Sequence, residues 1–141
     1  MTRRPSAADQ IALLAPAAEP ALPPGFAYCE DVITGTEENA LVEQIATLPF
    51  KPFEFHGYLG NRRVVSFGWR YDYGVRAVQP AATIPSFLLP LRECAADFAG
   101  VAPESLEHVL VTEYAEGAGI GGHRDKAEFA DVVAISLLAP C

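Results

Sequence analysis

The chain has 141 residues, carries 10 Lys+Arg against 18 Asp+Glu for a formal charge of −8, and is half apolar. That composition describes one globular domain with material for a core and argues against disorder throughout. No apolar run approaches the roughly 18 residues of a membrane span, and the acidic balance argues against a general phosphate binder while leaving a local basic patch open.

Residues 1–22 are rich in Ala and Pro and read as a flexible leader. Arg3-Arg4 ahead of Ile11–Leu14 has the outline of an export signal, but Pro5, Asp9 and Pro16 leave too short an apolar stretch. Cys29, Cys94 and Cys141 are odd in number and far apart. That spacing fits neither a disulfide scaffold nor a zinc site and points to a reducing, cytoplasmic setting.

Phe26 to Ile33 reads as an entering strand. Thr34-x-x-Glu37 is a capping-box pattern, and Leu41, Val42, Ile45 and Leu48 come after it at helical spacing, so a helix is expected over 36–48, stopped by Pro49. Short β pieces are next, at Phe53–Phe55 and Arg63–Trp69, joined through a turn within Gly57–Asn61. Phe67, Trp69, Tyr71 and Tyr73 alternate, which puts four rings on one face of an extended segment, either as core or as a stacking surface.

A second helix is expected over Ser86–Phe98. Pro90 either kinks it or marks its true first turn, and Gly100 stops it. Leu106–Tyr114 reads as a strand, Gly117, Gly119, Gly121 and Gly122 loosen the segment after it, and a last strand is expected over Val132–Leu138. The order is α+β with strands concentrated towards the end. The apolar run ends at Ala139-Pro140-Cys141, which raises the expectation that the fold is longer than the chain.

The chemistry concentrates in Val111–Asp125. In an extended backbone His123 and Asp125 project from one face, so an imidazole and a carboxylate converge. They are two-thirds of the facial triad that non-haem Fe(II) oxygenases use, although His-x-Asp alone is a common surface pair.

Taken together, Tyr114-x-x-Gly117-x-x-Ile120-x-x-His123-x-Asp125 and the later Val133-x-Ile135-Ser136-Leu137 resemble the AlkB-like family of Fe(II)- and 2-oxoglutarate-dependent dioxygenases. Arg63-Val64-Val65-Ser66-Phe67-Gly68-Trp69-x-Tyr71-Asp72-Tyr73 is similar to that family's substrate-side segment. The resemblance covers 23–141 and implies the N-terminal portion of a double-stranded β-helix (jelly-roll) domain with helices packed on one side, incomplete at its C-terminus. It implies His123 and Asp125 as iron ligands, Tyr114 and Thr112 facing 2-oxoglutarate, and Arg63, Trp69 and Tyr71 bordering the substrate. It further implies O₂ as co-substrate and oxidative demethylation of a nucleic-acid base or a protein side chain.

Three departures qualify that expectation. The family's distal His and its 2-oxoglutarate-binding Arg have no counterpart here, since His56 and His108 both precede the motif. Thr112 stands where the family has Asn, and Ala127 where nucleic-acid repair members carry an acidic residue. The rival readings are an inactive truncated remnant, and a nucleic-acid-binding module in which Arg62, Arg63, Arg70 and Arg76 meet phosphates while Trp69 and Tyr71 stack on bases.

Overall fold

The structure is a computed structural model that describes residues 21–55 and 57–139. Most of the leader, His56 and Cys141 lie outside the described residues. The chain divides at Glu30/Asp31 into two units. In the first, residues 21–30 form no helix or strand; a turn brings Phe26 N–H to the Pro23 carbonyl at 3.0 Å, and Phe26 and Tyr28 stay exposed.

The strand expected over Phe26–Ile33 is therefore not formed. A strand exists only through a ladder partner, and among the described residues this stretch has none. Asp31, at φ 54°, also turns the backbone out of the extended region.

The second unit mixes two α-helices with antiparallel sheets. Helix α1 (Gly35–Ile45) starts as the sequence demands: Thr34 accepts from Glu37 N–H at 3.2 Å, and a Glu37 carboxylate oxygen accepts from Thr34 N–H at 2.7 Å. It ends earlier than expected, because the last carbonyls are taken up in a tightening turn, with Thr47 N–H on Gln44 and Leu48 N–H on Ile45.

Strands β1 (Lys51–Phe55) and β2 (Tyr58–Phe67) form a hairpin whose tight turn ends on Gly57 at φ 82°. The turn is shorter than the expected Gly57–Asn61 loop, and β2 gains the difference. A register shift between Pro52 and Glu54 absorbs the extra residues of β2 opposite Phe53. Strand β5 (Val109–Tyr114) joins the far side of β2, giving the order β1-β2-β5, with Phe67↔Val109 through Arg62↔Tyr114 in unbroken antiparallel register.

The four-ring stripe does not stay on one sheet. At Gly68 the backbone takes φ 76°, and the chain leaves β2 for a separate two-stranded sheet of β3 (Trp69–Asp72) and β4 (Ala77–Pro80). Phe67 is buried in the core, whereas Trp69 is 39% exposed. The stripe is thus divided between core and surface.

Pro90 lies in the first turn of α2 (Leu89–Ala99), after a 3-10 turn at Ser86–Leu88, so it starts this helix rather than kinking it. Gly100 ends it in the left-handed conformation, φ 70°. Leu41 of α1, Phe67 of β2 and Leu88 centre the core, with Val65, Val109 and Val111 supplied by the inward face of the sheet.

The last expected strand, Val132–Leu138, is irregular, with no ladder partner among the described residues. It docks by other means: Leu137 packs on the core, and Leu138 N–H donates to the Glu38 carboxylate of α1 at 2.5 Å. No helix among the described residues is long and apolar enough to cross a membrane.

Candidate functional site

His123 and Asp125 lie in the glycine-rich segment after β5, outside any helix or strand. Their side chains meet all the same, with Nε2 3.5 Å from Oδ1 and both more than half exposed. Nδ1 lies 3.1 Å from the Gly121 carbonyl oxygen. In the neutral tautomer where Nδ1–H donates to that carbonyl, the Nε2 lone pair is left beside the carboxylate. This is how a backbone acceptor orients an imidazole that serves as a metal ligand. Among the described residues no third His, Cys, Asp or Glu completes a group of three.

Thr112 and Tyr114 alternate with the core-facing Val109 and Val111, so they lie on the outward face of β5, opposite Val64 and Arg62. Arg63 pairs with Glu113 on the other face. Its guanidinium grips that carboxylate in a two-pronged contact, Nε–Oε1 at 2.9 Å and Nη2–Oε2 at 2.8 Å. Both side chains are about half exposed, 53% and 47%, so the pair is worth no more than about 1 kcal/mol. It does commit Arg63 to an intramolecular partner and separates it from the Tyr114 face.

Tyr71 is brought to the motif segment. The ammonium of Lys126, the residue after Asp125, sits 4.8 Å from the Tyr71 ring centroid and 5.5 Å from that of Tyr73. The two tyrosine rings meet edge to face, with centroids 4.9 Å apart at 70°, and Tyr73 meets Phe53 in the same way at 6.0 Å and 86°. Arg62 covers the other end of the strip, its Cζ 3.9 Å from the Phe53 centroid. Trp69 precedes Tyr71 by two residues on β3 and so shares its face.

The grouping of Phe53, Tyr73, Lys126 and Arg62 has no signature in the sequence. Aromatic alternation marks Tyr73, but nothing in the local spacing of Lys126 announces a contact more than fifty residues back along the chain. Beside the strip lies an open cleft of about 550 Å³ lined by Glu54, Arg70, Tyr71, Asp72, Tyr73 and Arg76 among others. Asp72 Oδ1 accepts from Gly74 and Val75 N–H at 2.8 and 3.2 Å, which closes the β3–β4 turn.

His108, the other described histidine, stacks on Phe129 with centroids 4.9 Å apart and an interplanar angle of 21°. Burial there pushes its pKa below the ordinary imidazole value. Comparison with family models, curated proteins and solved structures gives no match to this chain.

Proposed function

We propose that this chain is an AlkB-like domain that uses Fe(II) and 2-oxoglutarate for oxidative demethylation of a nucleic-acid base or a protein side chain, on a double-stranded β-helix core. The observation that carries the proposal is the His123–Asp125 pair, with Nδ1 of the imidazole held by a backbone carbonyl and the segment anchored on Tyr71 through Lys126. The antiparallel β1-β2-β5 sheet fits one wall of such a core.

The donor set suits the metal, because imidazole nitrogen and carboxylate oxygen are the ligand types of the non-haem iron triad. His123 and Asp125 would hold it, and when bound with the keto acid and O₂ it supplies hydroxylation of an N-methyl group that then leaves as formaldehyde. The chain's own part is to orient. Gly121 fixes the imidazole, the Thr112 and Tyr114 hydroxyls offer donors on one sheet face, and the Tyr71 ring borders the substrate with its π-face.

With two protein donors among the described residues, iron is expected to bind weakly and exchange readily. Titration with Mn(II) as a paramagnetic stand-in tests this by NMR. The His123 ring resonances should broaden selectively, and 2-oxoglutarate should sharpen the metal dependence. His123→Ala and Asp125→Ala should each cost roughly tenfold or more in apparent affinity, the range commanded even by outer partners of metal ligands. Broadening that bypasses His123, or that survives both substitutions, would overturn the reading.

A further inference from the structure

The Tyr71–Tyr73 pair already holds a cation. Lys126 Nζ lies within cation–π distance of both rings, and the rings stand nearly perpendicular to one another. Phe53 adds a third ring, again nearly perpendicular to Tyr73. Its own ring is covered by the Arg62 guanidinium, Cζ 3.9 Å from the centroid, so the two tyrosine rings form the corner, and such a corner favours an ammonium that is poorly hydrated.

Two further features bear on the ligand. The adjoining cleft carries the Glu54 carboxylate, for which no hydrogen-bond or ion-pair partner is found among the described residues, and Asp72, whose Oδ2 is 3.9 Å from Arg70. Lys126 itself is exposed, so a ligand from solvent can reach the position it fills. A primary ammonium loses strong hydration when it moves onto a ring face, whereas each N-methyl group replaces a hydrated N–H with apolar contact. A methylated ammonium therefore competes well for the position that Lys126 fills.

We propose that the Tyr71–Tyr73 corner is a recognition site for an N-methylated ammonium, the side chain of a methylated lysine being the fitting class, and that Lys126 is its internal competitor. Binding at this corner puts the methylated nitrogen beside the segment that carries His123 and Asp125. The proposal rests on the dioxygenase reading for any oxidation of the bound group but not for the binding itself.

The test uses the full chain, labelled with ¹³C-tyrosine, without iron, keto acid or oxygen. Free Nε-trimethyllysine is the probe, with lysine and a single-stranded oligonucleotide carrying an N-methylated base as the other arms. Trimethyllysine should shift the Tyr71 and Tyr73 ring signals at concentrations where lysine does not. Lys126→Gln should tighten that response about two- to fivefold, the equivalent of one exposed cation–π contact.

Tyr71→Leu should remove the response, and Tyr73 signals that stay dispersed in that variant show that the corner still folds. An equal response to lysine and trimethyllysine, an unchanged or weaker response in Lys126→Gln, or ring shifts produced only by the oligonucleotide would each overturn the proposal. Because no metal takes part, a failure here and a failure of the Mn(II) titration are separate results.

Discussion

At Gly68 two requirements meet in one residue. Its φ of 76° is strained for any residue with a side chain, and a Cβ would overlap the Glu107 carbonyl oxygen. Its own backbone is fully used, with N–H on Ala82 O at 2.6 Å and its carbonyl accepting from Ala81 N–H at 3.0 Å. Gly68→Ala should therefore lose stability twice over, by about 1–3 kcal/mol for the backbone and about as much again for the overlap. Chemical denaturation measures it, and a loss below about 0.5 kcal/mol, the scale of ordinary surface substitutions, would mean the pivot relaxes freely. The same residue explains the fate of the aromatic stripe: strict alternation from Phe67 to Tyr73 holds only while the backbone stays extended. The Arg63–Glu113 pair has a similar lesson, since a basic residue that suggests phosphate binding in the sequence is engaged by an acid fifty positions away.

Among the elements, α1 was the most legible. Its capping box and apolar spacing concern residues within a few positions of one another; the cap forms as read, and the helix ends at Ile45, short of the expected residue 48. Thr34→Ala should cost about 1 kcal/mol, measurable as a lower thermal midpoint. Acceptance from the Thr34 backbone N–H, then from its hydroxyl, holds the Glu37 carboxyl below its ordinary value of 4.5. A carboxyl whose pKa is lowered on folding stabilises the fold fully above its unfolded value and loses that contribution as pH falls through the lowered one. The acid limb below pH 4.5 should accordingly flatten in Glu37→Gln. Helix α2 was legible at its end, where Gly100 stops it, while its start fell at Leu89 after a 3-10 turn rather than at the expected Ser86. The strands were not equally so. Leu106–Tyr114 shortened to Val109–Tyr114 because its ladder stops at Phe67↔Val109, where Gly68 turns the partner strand away, and Val132–Leu138 formed no strand at all.

Within the unit from Asp31 onward, the ties of the long segment after β5 include Lys126 on Tyr71, Phe129 on His108, and Leu137–Leu138 on the core and α1. The second tie is sensitive to acid. Burial lowers the His108 pKa below 6.5, so in the window beneath that value the unfolded chain takes up a proton that the folded chain resists. Stability should then fall as pH drops from 6.5 towards the lowered folded value, and level off beneath it. His108→Phe keeps a ring against Phe129 and should remove that part of the slope in pH-dependent thermal melts. A variant with the same slope as the parent would place the titration elsewhere. The exposed apolar residues Leu59, Leu110, Val132 and Leu138 add surface that favours self-association.

The sequence by itself determined that two helices form, the capping box that starts the first and the glycine that ends the second, the α+β character, and the His123–Asp125 spacing as a candidate donor pair. All of these depend on interactions within one or two turns of chain, where residue order is already geometry. Tertiary structure alone decided which apolar runs become strands, because a strand requires a partner from elsewhere. It also decided that Gly68 divides the aromatic stripe, that Arg63 answers Glu113, and that Lys126 rests on Tyr71 and Tyr73. These are contacts between residues far apart in the chain, and no local pattern specifies which distant side chains folding will bring together.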